Sequence, residues 1–174
     1  MIDPETKAYI DQQLRFYQRI RDERAAPDRS IVARYTTAAG QTIADNTITI
    51  VDFGTKARDT HNCVTTGASW KFTAVYPGDY PIDVAIMFAS TTAWALGEHG
   101  EVLLYRNGAD YSRIDLDGNM DSSAGALYKF LSGSDTVYLD TGDYCDVRVL
   151  QVTGGNLALH NSGLFNRVSI SLRR

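Results

Sequence analysis

Cysteine is scarce in this chain: Cys63 and Cys145 are the only two in 174 residues, too few for a disulfide framework on a domain of this size. Two reduced, buried thiols are the simpler expectation; a single bridge would need the two Cα atoms within about 7 Å. No run approaches the roughly 20 apolar residues of a membrane helix, so membrane insertion is not expected. Met1-Ile2-Asp3-Pro4-Glu5-Thr6 carries acid where a secretory signal carries base, and no apolar core follows it, so synthesis in a cytoplasm is expected. Clustered positive charge is also lacking. A net charge of -4 and a pI near 5.3 give no electrostatic ground for nucleic-acid binding. The one basic run, Arg15, Arg19, Arg21 and Arg24, is interrupted by Asp22 and Glu23, as on a solvated helix face. There is no repeat of 20–50 residues, no low-complexity segment, and no nucleophile elbow, phosphate-cradling loop or dinucleotide fingerprint.

What the chain does have is ten Tyr, six Phe and a series of apolar runs cut by turn residues, the composition of a sheet protein. Trp70, Phe72 and Ala74 alternate with Lys71 and Thr73. Pro77-Gly78-Asp79 then breaks the chain and residues 80–88 resume an apolar run, which predicts a hairpin on a type II turn. Val102-Leu103-Leu104-Tyr105 ends at Asn107-Gly108, a strong hairpin signal because both residues tolerate the left-handed region. Residues 136–139 run into Thr141-Gly142-Asp143, after which Cys145, Val147 and Val149 alternate with Asp146 and Arg148. Gly154-Gly155-Asn156 reads as another hairpin turn, and residues 165–172 as a closing strand with Val168, Ile170 and Leu172 inward. Residues 30–35 look like the first strand. Residues 47–53 alternate, with Ile48 and Ile50 on one side and Thr47, Thr49 and Val51 on the other, as in a half-buried strand. Residues 54–67 are mixed and polar, with a short strand expected around Asn62-Cys63-Val64.

In order and spacing, five segments carry a likeness: Phe72-Thr73-Ala74, Gly78-Asp79-Tyr80, Leu104-Tyr105-Arg106-Asn107-Gly108, Leu139-Asp140-Thr141-Gly142-Asp143 and Val168-Ser169-Ile170-Ser171-Leu172. Together they resemble the jelly-roll heads of the complement-component-one-q and tumour-necrosis-factor superfamily, small versions of which occur in bacteriophage and bacterial surface proteins. The resemblance covers residues 47–172. It implies a mainly β, antiparallel, TNF-like jelly-roll sandwich of about ten strands, which joins two further copies of itself in a tight homotrimer and binds through loops and outer faces. It does not imply catalysis.

An N-terminal α-helix precedes the head. Asp3 can cap free amides and Pro4 is pre-set for a first helical turn. No Gly or Pro follows until Pro27, giving a helix of about 35 Å. Ile10, Leu14 and Tyr17 are spaced four and three, and Tyr9, Phe16 and Ile20 widen the stripe. So narrow a stripe is marginal in water by itself. It fits either a bundle of three copies about a threefold axis or docking on another virion protein, and packing against its own head is the blander alternative. The expected division is residues 1–27 for trimerisation or anchoring and 28–174 for the head.

Candidate sites are few. Asp115, Asp117, Asn119 and Asp121 supply oxygens at alternate positions, as hard cations require. The run nevertheless departs from a calcium loop, with Gly118 at the fourth position and Ala126 where a bidentate Glu belongs, and an Asp/Gly/Asn turn explains it as well. His61, His99 and His160 lie far apart without ligand spacing. His61-Asn62-Cys63 contains the residue types of a thiol nucleophile site, but adjacent residues of a strand point to opposite faces and do not pair by themselves. No cofactor is implied. Trp94, beside Gly97 and Gly100, is either a lid on the core or an exposed contact. Trp94, Tyr105 and Tyr111 are the candidate contacts for a host surface glycan, which binds by an apolar ring face flanked by polar groups. Residues 110–129 look like the long polar loop on which binding is usually placed.

Through the resemblance, the first expectation is a non-enzymatic, homotrimeric bacteriophage virion protein on the particle surface, as a capsid decoration or head fibre. A tail-side receptor-binding role is the near alternative. A carbohydrate-processing enzyme on a β-sandwich is an alternative of another class, to be betrayed by two close carboxylates, one with a raised pKa; a secreted adhesion or signalling module is a third.

Overall fold

The computed structural model describes residues 3–25, 30–89, 94–118 and 128–172, with helix side chains described as far as Arg19. Helix α1 (Pro4–Ala25) begins as its sequence dictates. The Asp3 carboxylate accepts from the Thr6 amide and hydroxyl, and the Asp3 carbonyl accepts from the Lys7 amide, a cap that satisfies amides the first turn leaves open. These bonds from Thr6 hold the Asp3 carboxyl below its ordinary pKa.

Thirteen strands follow among the described residues: β1 (Val32–Thr36), β2 (Thr42–Ile43), β3 (Thr49–Ile50), β4 (Thr55–Asp59), β5 (Val64–Thr65), β6 (Lys71–Thr73), β7 (Gly78–Ala89), β8 (His99–Arg106), β9 (Ala109–Gly118), β10 (Tyr128–Leu139), β11 (Tyr144–Val152), β12 (Leu157–Leu159) and β13 (Arg167–Ser171). One sheet runs β2-β12-β7-β13-β1-β4, with β10 paired along the other side of β7; the second runs β5-β6-β11-β8-β9, with β3 on β11. Every pairing is antiparallel. Between the sheets lies one core, in which Trp70, Phe72, Tyr80, Phe53, Phe88, Ile82 and Ile86 are fully buried. Aromatic edges meet aromatic faces there: Phe72 on Tyr80 at 5.2 Å and Phe53 on Trp70 at 5.2 Å between ring centres. Val168 and Ile170 of β13 point into this core, as their alternation predicts, and Leu172 packs on it.

Of the four turn signals in the sequence, only Asn107-Gly108 closes a hairpin, joining β8 to β9 with both residues at positive φ. Pro77-Gly78 does not: β6 lies in one sheet and β7 in the other. The alternation of Phe72 and Tyr80 arises because both point into the core from opposite layers, and a period of two cannot tell a neighbour in the sheet from a partner across it. Thr141-Gly142-Asp143 and Gly154-Gly155-Asn156 likewise carry the chain from one sheet to the other. The crossings at 74–77 and 140–143 are tied together: Ala74 donates to the Asp143 carbonyl and Gly142 to the Ala74 carbonyl, each at 2.8 Å, and the Thr141 hydroxyl donates to the Val75 carbonyl.

Two further expectations change. Over residues 47–53 the strand is only β3, Ile48 is exposed, and Val51 and Phe53 are buried; the inward side is the opposite of the one the alternation suggests. The Val51 amide bonds to the Val147 carbonyl, so the segment follows β11 only in part. Residues 110–118 are strand β9 and 128–129 begin β10, which leaves 119–127, outside the described residues, as the connection.

Candidate subunit interface

Strand β10 is an edge strand whose side chains alternate between the core and open solvent. Leu131, Val137 and Leu139 are buried, while Tyr128, Phe130 and Tyr138 are 51%, 43% and 47% exposed. Register places Tyr128 and Phe130 opposite Ala89 and Met87 of β7, both partly exposed, so aromatic rings and small or flexible apolar side chains share one outward patch. These residues escape a reading by periodicity, because Phe130 and Leu131 are both apolar and only one can face the core.

Strand β9 closes the neighbouring edge of the sandwich. Its pairing with β8 slips twice, leaving Ile114 between Arg113 and Asp115, and Tyr111 between Asp110 and Ser112, as extra residues; such bulges re-aim side chains. Ile114 reaches Gly133 of β10 so closely that a Cβ there would lie 2.9 Å from its Cγ2. The Tyr111 hydroxyl donates to the Thr136 carbonyl, Asp115 accepts from the Ser132 amide at 2.8 Å, Ser112 bonds Asp135, and Lys129 Nζ lies 3.0 Å from Asp117. Asp115 and Asp117 are thus occupied in joining the two sheets, while Asn119 and Asp121 lie outside the described residues. Among the described residues no group of three or more His, Cys, Asp or Glu side chains is arranged to hold a metal.

The proposed glycan contacts separate. Trp94 is 2% exposed, with its ring 6.0 Å from Phe88 and the Lys129 ammonium over it at 5.6 Å. It is a lid on the core and not a surface contact. Tyr105 is half-buried, and the Arg148 guanidinium covers its ring at 3.7 Å. Tyr111 remains exposed.

On the outer face of the second sheet, buried carboxylates are met by cations. Arg148 donates to both oxygens of Asp146, at 2.6 and 3.3 Å, and these bonds raise the arginine's pKa. Arg113 Nε lies 2.7 Å from Glu101 Oε2, without the alignment of a hydrogen bond, and His99 lies 3.6 Å from the other oxygen. At the end of that sheet, Asp143 accepts from Arg106, Asn107 and the Asp140 amide; the Arg106 bond does most to lower its pKa.

Asp59 ends β4 as an acceptor hub for the Tyr35 hydroxyl at 2.9 Å, the amides of His61, Cys63 and Val64, and the Cys63 thiol at 3.3 Å. Burial alone would raise its pKa, yet the hydrogen bonds outweigh it and the net direction is down. Burial pushes the Cys63 thiol up to about 12 and the Cys145 thiol higher still. Both thiols are free and buried. Phe72 of β6 pairs with Cys145 on one side and Val64 on the other, which puts Cys145 and the start of β5 two strands, about 10 Å, apart. That is too far for a disulfide.

On α1, Ile10, Leu14 and Tyr17 are 42%, 54% and 62% exposed, as are Tyr9 and Phe16 in large part. Among the described helix residues only Gln13 is even partly covered, so this segment is not packed on its own head. No helix among the described residues is long and apolar enough to cross a membrane.

The chain aligns over 83% of its length with 93% of the Eiger TNF of S. frugiperda, at a TM-score of 0.60 and 14% identity. It aligns over 82% with 96% of the globular domain of zebrafish complement 1qA, at 0.56 and 13%, and over 83% with 96% of the PRD1 vertex protein P5, at 0.54 and 14%. No family model and no curated protein matches the sequence. Strand order, antiparallel pairing and this likeness together identify the fold as a TNF/C1q-type jelly roll preceded by one helix.

Proposed function

We propose that the chain is a non-enzymatic, homotrimeric structural protein of a bacteriophage virion, its head displayed on the particle surface as a capsid decoration or head fibre. Residues 28–174 form the head, and residues 1–27 mount it on other virion proteins or join three copies. One observation carries this reading: among the exposed apolar side chains of a single chain are two clusters, the Tyr128-Phe130-Met87 patch and the Ile10-Leu14-Tyr17 stripe. Such surface in a chain of 19.2 kDa marks a contact with other protein. The likeness to a phage vertex protein supports the setting. The carboxyl groups with displaced pKa values, Asp3, Asp59 and Asp143, all move down, opposite to the direction of a catalytic acid. The tail-side, glycan-binding reading is the weaker one, because Trp94 and Tyr105 are covered.

The test is to raise an antibody against residues 28–174, infect with the phage that encodes the chain, and image labelled particles. Label on the surface of intact particles is expected. Recovery of the protein only in the particle-free supernatant would overturn the proposal.

A further inference from the structure

Three arginines share the outer face of the first sheet toward its β4 edge. Arg34 of β1 stands opposite Arg58 of β4 on one side and Ser169 of β13 on the other, while Arg167 of β13 stands opposite Thr36 of β1. Arg34 and Arg167 thus occupy one diagonal of a block of four, with Thr36 and Ser169 on the other. Directly opposed residues lie about 5 Å apart and diagonal ones about 7–8 Å, so the three cationic side chains rise from one small area. All three are exposed, whereas their strand neighbours Ala33, Tyr35 and Val168 are buried.

Like charges directly opposite on neighbouring strands repel unless an anion comes between them. Among the described residues no carboxylate pairs with Arg34, Arg58 or Arg167. Asp59, next to Arg58, is turned inward to Tyr35 and Cys63. Asp83, the carboxylate in the row of Ser169 and Arg34, lies two strand spacings from Arg34, about 10 Å. Arg167 Nη1 donates to the Leu164 carbonyl at 2.7 Å, a bond that uses one of its five N–H donors. Gly163, beside Leu164, packs against the Thr36 side chain, so the turn that holds Arg167 lies against the strand of Arg34.

We infer that Arg34, Arg58 and Arg167 form a binding site for a phosphate group, either free in solution or carried on a lipid headgroup. A tetrahedral phosphate accepts paired N–H bonds from more than one guanidinium fork at once, and its charge answers the opposed arginines. Thr36 and Ser169, both half-buried within the block, add hydroxyl donors. The site is complete within one copy, and Arg58 lies four strand spacings from β10, about 19 Å. It therefore stands or falls separately from the trimer.

The experiment is calorimetric titration of the full chain with tripolyphosphate in about 50 mM chloride, beside flotation with vesicles of phosphatidylglycerol or of phosphatidylcholine. Saturable binding of tripolyphosphate by the parent is expected. R34Q/R58Q should weaken it at least about tenfold and R167Q at least about threefold; the single variant carries the test if the double one fails to fold. R34K/R58K keeps the charge and loses the planar fork, and should bind at least about threefold more weakly than the parent. Flotation with phosphatidylglycerol alone, lost in R34Q/R58Q, assigns the headgroup as the source, and tripolyphosphate binding without flotation assigns the free anion. A parent that binds neither probe, or binds no better than R34Q/R58Q, overturns the inference. So does R34K/R58K binding as tightly as the parent, which would leave only diffuse positive charge.

Discussion

Replacing Phe130 by Ala separates assembly from folding. The ring is 43% exposed in one copy, and a Phe side chain offers about 200 Å², so about 85 Å² awaits cover. At about 25 cal/mol per Å² this is about 2 kcal/mol per copy and about 6 kcal/mol over three. The association constant then falls by about four powers of ten. Because that constant scales with the square of concentration, the midpoint for dissociation rises about a hundredfold. Sedimentation or light scattering over a dilution series reads it directly. The isolated head should keep its stability to within about 0.5 kcal/mol, since the ring already meets solvent there. A midpoint shifted by less than about threefold would refute the assignment of β10 to the contact.

Three further outcomes follow from the interior. Asp59→Ala removes the acceptor of Tyr35, Cys63 and three loop amides and should cost about 2–4 kcal/mol in urea unfolding at neutral pH. Because its folded pKa is lowered, that contribution is complete above the ordinary value of 3.8 and fades as pH falls through the folded value, so parent and variant should converge in acid. Neither thiol should react with a disulfide reagent at pH 8 in the folded protein, with Cys63 held near 12 and Cys145 buried; both should react on unfolding. Gly133→Val sets a Cβ 2.9 Å from Ile114 Cγ2 and 3.0 Å from its carbonyl oxygen. The expected loss is about 1–3 kcal/mol, and Ile114→Ala should recover only part of it, because the carbonyl remains.

The turn residues and the alternating strands made the fold class legible. Strands β6, β7, β8, β11 and β13 fall where apolar alternation puts them, and Asn107-Gly108 makes its hairpin because the local backbone preference alone decides a two-residue loop. Pro77-Gly78 and Gly154-Gly155 look equally persuasive, yet they cross between sheets, since a turn residue fixes a local φ and says nothing of which layer the next strand joins. The edge strand β4 lacks an apolar alternation: every β4 residue before Asp59 is exposed. The candidate interface was the least legible part. Trp94 drew notice as an isolated aromatic but fills the core, whereas Phe130 and Tyr138 stand beside Leu131 and Leu139, so that inward and outward neighbours have the same chemistry.

The molar mass of the full chain by light scattering at micromolar concentration tests the central claim most directly. Three copies of a 19.2 kDa chain predict about 58 kDa. A mass of 19.2 kDa that persists as concentration rises would contradict the account, leaving the β10 patch and the helix stripe without the partner assigned to them.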